Sequence, residues 1–178
     1  MDEAGHISVT DWMETDVPGI FAAGDIRVNS SRQVVSAAGD GPDPALAALE
    51  DALHDAVNEV RTREGLIPLQ RDPAVDRVAR AHSRDMVARR YFAHETPEGL
   101  SPPDRLARGG VDGISLAGEN VGLTSRGDPN REIVTGWRAS PVHRQNLLAP
   151  MFNRTGIGIA RAPDGTLYYT QLYVTVPR

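Results

Sequence analysis

The sequence predicts an α+β domain in which helices come first and an antiparallel hairpin comes last. Leucines and valines recur at spacings of three or four over residues 45–64, which is the period of one helix face. Near the other end, residues 156–160 alternate small and apolar side chains, and residues 167–176 are rich in strand formers. Separation of the two patterns along the chain favours a layered fold.

The first helix is predicted over residues 45–64, with Gly65 as its stop signal. A second helix should follow Asp72, a candidate N-cap that precedes Pro73 at the first helical position. The inner face of this second helix comprises Val75, Val78, Ala79, His82 and Met86. On such a face we expect His82 to be a packed, hydrogen-bonded histidine rather than a ligand.

Turn and capping residues organise the middle of the chain. Residues 91–103 are rich in turn formers, and a short helix is predicted to follow through Leu106. Residues 130–138 should form another helix. A last helix should begin at Ser140-Pro141, where serine at the N-cap and proline at the first position are both favoured.

Composition excludes several kinds of chemistry. The 178 residues include no cysteine, and all 19 basic residues are arginine. These absences exclude a disulfide framework, a thiolate metal site, a cysteine nucleophile and a Schiff-base lysine. A net charge of −5 argues against nucleic-acid binding, and no apolar run approaches a bilayer span. We expect a monomer without a transmembrane segment.

Charge and turn residues place a boundary near residues 41–44, where the sequence reads Gly-Pro-Asp-Pro. Residues 1–44 carry a net charge of −6, from eight acids and two arginines, whereas residues 45–178 carry +1. The chain is therefore predicted to join a short N-terminal segment (1–44) to one domain (45–178). Its first residues have neither the basic nor the apolar region of a secretory signal.

The string TDVPGIFAAGD at residues 15–25 resembles the C-terminal flavin-binding motif of thioredoxin reductases, and the similarity covers about residues 5–50. The resemblance implies that Asp25 contacts the ribityl chain of FAD and that the backbone near Gln33 approaches the flavin ring. A dinucleotide cofactor also needs a glycine-rich turn within a βαβ unit, and the upstream sequence holds none. We therefore expect a vestigial or fused segment without FAD; the alternative is a segment that functions with a partner.

A second resemblance covers residues from about 50 to 178. The motifs that carry it are Asn58-Glu59-x-Arg61, Ala81-His82-Ser83-Arg84-Asp85-Met86, Phe92-Ala93-His94, Gly118-Glu119-Asn120, Trp137, Ser140-Pro141-Val142-His143-Arg144-x-Asn146, and Gly156-Ile157-Gly158. In this order they resemble the bacterial, SCP-like branch of the CAP superfamily (cysteine-rich secretory, antigen 5 and pathogenesis-related proteins). The resemblance implies a three-layer α-β-α sandwich with a short antiparallel sheet, here preceded by a partly ordered N-terminal segment.

The family resemblance also implies a cleft lined by two histidines and two glutamates. Three positions match His94, Glu119 and His143, each expected at a loop or helix start, while the fourth position holds Ser140; Glu132 is a possible substitute. The same motifs add Asn120 and Asn146 to the predicted cleft. Two imidazoles and a carboxylate are suitable ligands for zinc, with an open position left over. The alternative is a structural cluster in which these side chains bond the surrounding loops.

The resulting functional hypothesis is a ligand- or metal-binding module, with a lipid or another small molecule as the candidate ligand. One alternative is a hydrolase that pairs Ser140 with His143, although a serine N-cap explains Ser140 equally well. The other is a fragment of an FAD-dependent oxidoreductase. Catalysis is left open. The resemblance suggests a secreted or cell-envelope protein, in conflict with the absence of an evident export signal.

Overall fold

The structure, a computed structural model, describes residues 43–177. The predictions for the N-terminal segment, including Asp25 and Gln33, fall outside these residues, and the domain division at residue 44 stays a prediction. Five helices are described. They are α1 (Pro44–Arg63), α2 (Pro73–Arg89), α3 (Pro102–Arg108), α4 (Pro129–Ala139) and α5 (Pro141–Leu147).

Four strands form one mixed sheet. They are β1 (Gln70–Arg71), β2 (Leu116–Thr124), β3 (Arg154–Arg161) and β4 (Leu167–Thr175). The order across the sheet is β1-β3-β4-β2, so β2 lies at one edge. The predicted hairpin of β3 and β4 is antiparallel, β2 pairs antiparallel with β4, and the two-residue β1 runs parallel to β3.

Helices cover both faces of the sheet, which confirms the predicted three-layer α-β-α sandwich. On one face, α1, α4 and α5 pack with alternate sheet residues into a cluster that includes Leu53, Trp137 and Tyr173. On the other face, α2 and α3 pack against the sheet in a cluster that includes Val78 and Leu172. The opposite-facing neighbours Leu172 and Tyr173 show the two-residue alternation of a strand buried on both sides.

Helix α2 packs very close to the sheet at Gly158 of β3. A Cβ atom at this position would be 2.1 Å from the backbone nitrogen of Arg80 in α2. Only a residue without a side chain allows this approach of helix and strand. The small residues that alternate with isoleucine in β3 therefore serve helix packing on one face and the apolar core on the other.

Side chains bond the stretches of strand backbone that have no strand partner. Where β3 extends beyond the two-residue β1, the buried carboxylates of Asp76 and Glu50 accept hydrogen bonds from the backbone amides of Ile157 and Ile159. At the β2 edge, Trp137 Nε1 donates to the carbonyl of Val121 at 3.0 Å. Such contacts block the free backbone groups through which sheet edges pair with other chains.

The helix predictions are confirmed. Helix α1 ends at Arg63, Asp72 caps α2 through the amide of Ala74, and the predicted inner face of α2 is buried. Ser140 is the N-cap residue of α5, but its side chain makes no capping hydrogen bond. Strand β2 was not predicted, and it carries Glu119, one of the expected cleft residues.

Candidate functional site

The candidate site lies along edge strand β2, where elements from both helical layers meet. Glu119 lies within this strand and not, as the sequence predicted, in a loop or at a helix start. It pairs with Leu172 of β4, a residue of the core beneath α2 and α3. Side chains of consecutive strand residues point to opposite faces of the sheet. Glu119 therefore faces the layer of α2 and α3, and Asn120 faces the layer of α1, α4 and α5.

Glu119 is a buried carboxylate held between a histidine and an arginine. Its Oε1 accepts a hydrogen bond from Nδ1 of His94 at 2.8 Å, and its Oε2 accepts one from Nη2 of Arg105 at 2.6 Å. The side chains of Glu119 and Arg105 are 1 % and 8 % exposed, whereas that of His94 is 47 % exposed. The cluster therefore runs from a buried ion pair outward to an accessible imidazole.

Side chains of α2 hold the loop that carries His94 in place. Nε2 of His82 lies 3.0 Å from the carbonyl of Ala93, and the His82 ring meets Tyr91 edge to face. Tyr91 in turn donates its hydroxyl to Asp85 at 2.6 Å. His82 is thus the packed, hydrogen-bonded histidine that the sequence predicted, and its partner lies next to His94 in the chain.

The second histidine comes from the opposite layer. His143 lies in the first turn of α5, and its ring centroid is 6.4 Å from that of His94. Asn120 donates to the backbone carbonyl of His143 at 3.0 Å, and Asn146 donates to the carbonyl of Glu119 at 2.9 Å. The two asparagines therefore fasten α5 to β2 and hold His143 beside His94.

Among residues 43–177, Ser140 and Glu132 make no hydrogen bond or ion pair with the His94–Glu119 pair. Within residues 43–177 no hydrogen bond connects Ser140 to His143, so the pair lacks the contact that activates a serine nucleophile. Glu132 bonds the hydroxyl of Thr124 and forms an ion pair with Arg126, at the far end of β2. The identity of the fourth cleft residue that the resemblance implies stays a prediction.

Electrostatics distinguish the two histidines. The hydrogen bond that His94 donates to Glu119 raises the pKa of His94 above its usual value, against the opposing effect of desolvation. Burial lowers the pKa of His143, and the nearby charge of protonated His94 lowers it further. His143 therefore loses its proton first as the pH rises, and one imidazole of the pair becomes neutral before the other.

The site presents two imidazole rings to a ligand. Because Nδ1 of His94 is engaged by Glu119, its Nε2 is the nitrogen available to a ligand. The ring of His143 accepts or donates no hydrogen bond within residues 43–177. In this range no group of three His, Cys, Asp or Glu side chains is arranged to enclose a metal ion. The arrangement suits a labile metal or a small polar ligand rather than a closed structural zinc site.

Sequence reasoning missed Arg105, the residue that balances the charge of Glu119. It lies in α3, 14 positions before Glu119, within a segment whose pattern indicates only a short helix. The one available signal was indirect, since a buried glutamate requires a cationic or hydrogen-bonding partner. Nothing in the sequence identified which arginine would fill that role.

Comparison with known proteins gives matches for the region that forms this fold. Residues 54–173 match the family described as the cysteine-rich secretory protein family, CAP. The chain is 35 % identical over 114 residues to the uncharacterized protein YkwD of Bacillus subtilis (strain 168), covering 64 % of this chain and 43 % of YkwD. The structure of an extracellular protein containing a SCP domain, from Bacillus anthracis str. Ames, has a TM-score of 0.62 at 34 % identity, covering 77 % of this chain and 45 % of that one.

A short stretch of the chain matches a different class of protein. A stretch of 50 residues, 28 % of this chain, is 56 % identical to thioredoxin reductase of Peptoclostridium litorale and covers 15 % of that enzyme. The chain spans less than half the length of the curated relatives it matches. The flavin contacts that the resemblance implies for Asp25 and Gln33 stay predictions. Among residues 43–177, no helix has both the length and the apolar character needed to cross a membrane.

Proposed function

The chain belongs to the cysteine-rich secretory protein family, and we propose that it is a binding module whose cleft takes a divalent transition metal at His94 and His143. The observation that carries this proposal is the pair of neighbouring imidazoles with ring centroids 6.4 Å apart, one of them oriented by a buried carboxylate. Carboxylate–histidine pairs of this kind fix the tautomer of metal-binding histidines and raise their basicity.

The proposed ligands are Nε2 of His94 and a ring nitrogen of His143, with water completing the coordination. Both oxygens of Glu119 already accept hydrogen bonds, so its role is to orient His94 and not to bind the metal. Imidazole favours zinc or copper over calcium or magnesium. Two protein ligands imply an exchangeable metal, which could polarise a bound ligand.

Calorimetric titration of the full chain with zinc tests this function. We expect one equivalent to bind, with weaker binding at lower pH because protons compete for both imidazoles. Replacing both His94 and His143 by alanine should abolish binding. The matched control is His54→Gln, because His54 lies in α1 and bonds the carbonyl of Leu69. Unchanged zinc binding in the double variant would refute the assignment.

A second candidate function is carriage of a lipid, and a separate groove supports it. The groove has a volume of about 500 Å³ and lies between α1, α4 and α5. Val60 and Leu148 contribute apolar surface, while Arg138 and Arg144 supply two positive charges against the one negative charge of Glu64. This combination suits an amphiphile with a carboxylate headgroup, since arginine binds carboxylates well.

Displacement of a fluorescent fatty acid tests the second candidate. Replacing Arg138 and Arg144 by glutamine should weaken binding of the acid but not of the corresponding alcohol. Arg126→Gln is the control, because Arg126 is an exposed arginine at the far end of β2. Equal binding of acid and alcohol to the unaltered chain would contradict the assigned headgroup contact.

We further propose an extracellular or cell-envelope location, supported by the extracellular Bacillus anthracis relative. Fractionation of the native cells tests the location. The thioredoxin-reductase-like stretch is proposed to bind no flavin. A flavin absorption spectrum that copurifies with the full chain would overturn that view.

A further inference from the structure

Arg105 connects the two elements that carry His94 and Glu119. Its Nη2 donates to the Glu119 carboxylate at 2.6 Å and to the backbone carbonyl of His94 at 3.0 Å. The side chain is 8 % exposed, so this contact lies in a region of low dielectric constant. One guanidinium therefore fixes the position of the strand carboxylate relative to the loop that presents the imidazole.

The same contact determines what Glu119 can do. A carboxylate that shares its charge with a guanidinium at 2.6 Å is a poor ligand for a cation, because a metal brought to it would face the arginine charge. Hard cations such as calcium and manganese depend on carboxylate oxygens, whereas zinc is bound well by imidazole. The Glu119–Arg105 ion pair therefore favours metals that bind imidazole over metals that require a carboxylate.

We propose that Arg105 is the positioning and selectivity residue of the cleft: by reserving Glu119 for His94, it leaves the imidazoles as the protein ligands that residues 43–177 offer, and it rejects cations that require a carboxylate. This inference rests on the proposed metal-binding function. Arg105 acts through Glu119 and His94 and does not contact the metal. The predicted consequence is selectivity, which a purely structural arginine would not control.

Titrations of the full chain with zinc and with manganese test the selectivity. In Arg105→Met, the zinc-to-manganese affinity ratio should fall by about tenfold or more, since losing a residue that holds a metal ligand in place alters metal affinity by roughly 10- to 100-fold. Arg105→Lys, which retains the charge, should keep most of the original ratio. Arg80→Met is the matched control, because Arg80 also pairs with a buried glutamate, Glu50, which bonds the backbone of β3 away from the cleft. An unchanged ratio in Arg105→Met overturns the proposal.

A spectroscopic measurement on the unaltered chain keeps the proposal testable should Arg105→Met fail to fold. Nitrogen-15 shifts of neutral His94 should show the proton on Nδ1, as the hydrogen bond to Glu119 requires. A proton on Nε2 would overturn the orienting role. If the unaltered chain binds no zinc, the proposed metal-binding function fails. The role of Arg105 is then tested by the manganese affinity of Arg105→Met. A higher manganese affinity than in the unaltered chain supports that role, and an unchanged affinity refutes it.

Discussion

The imidazole of His94 and the carboxylate of Glu119 are joined by a 2.8 Å hydrogen bond across 25 positions of the chain. One partner is half-exposed and the other is fully buried. A buried carboxylate is stable only with compensating donors, and here a second donor, Arg105, lies on its other side. The histidine is therefore held at the surface by an ion pair inside the protein.

Stability should depend on pH through His94. Its pKa is raised in the folded state, first by the hydrogen bond to Glu119, so protonation favours folding. The contribution should be complete below about pH 6.5, the usual histidine value. It should be lost as the pH rises through the higher folded-state pKa. Urea unfolding of the chain and of His94→Gln across this range measures it; parallel pH profiles would contradict the prediction.

The pKa of His143 should respond to substitution of His94. It is lowered first by burial and then by the charge of protonated His94. In His94→Ala the second cause disappears, so the pKa of His143 should rise toward its ordinary value. NMR titration of the ring protons measures the shift, and His54→Gln should leave it unchanged. A fall in the His143 pKa would show that the two rings do not interact as described.

Glu119→Gln should destabilise the fold by about 3 kcal/mol, because it leaves the buried Arg105 without a charged partner. Chemical denaturation measures the loss in the free energy of unfolding. Glu98→Gln is the control: Glu98 also pairs with an arginine, Arg89, but at the surface, where ion pairs contribute little. Equal, small effects in both variants would mean that the buried pair is not formed.

Gly158→Ala should destabilise the domain by about 3 kcal/mol, because the added methyl group would force α2 away from the sheet. Gly136→Ala is the opposite case. Gly136 lies in α4, and a Cβ there meets nothing within 4 Å, so higher helix propensity should stabilise by about 0.5–1 kcal/mol. In thermal melts, the Tm of Gly158→Ala should lie below that of the unaltered chain, and the Tm of Gly136→Ala should lie above it. The same sign for both would contradict the described helix–sheet contact.

Helices that are determined by interactions between residues near each other in the chain could be predicted from the sequence. Helix α2 begins at Asp72-Pro73 because a side-chain cap and a fixed φ act within a few residues. Strand β2 has no such signal, since its nine residues include two glycines and a charged residue. It forms by pairing with β4, and a Cβ at Gly122 would lie 2.7 Å from the terminal Cδ1 of Ile133, so a larger residue there would have to displace that side chain.

The site was predictable only in part. The family resemblance suggests His94, Glu119 and His143 as cleft residues, and their role stays a prediction. The structure places His94 in a hydrogen bond with Glu119 and its ring centroid 6.4 Å from that of His143. Arg105 was not predicted because its role depends on a contact between α3 and β2. Charge balance inside a protein is a property of three-dimensional packing, and sequence periodicity does not report it.

Zinc X-ray absorption spectroscopy of the zinc-loaded full chain tests the central claim most directly. The account predicts about two imidazole nitrogens at roughly 2.0–2.1 Å, with the remaining positions filled by water oxygen. The same spectrum should lose its imidazole signature in the His94→Ala, His143→Ala double variant. A first shell of oxygen alone in the unaltered chain would contradict metal binding at this pair of histidines.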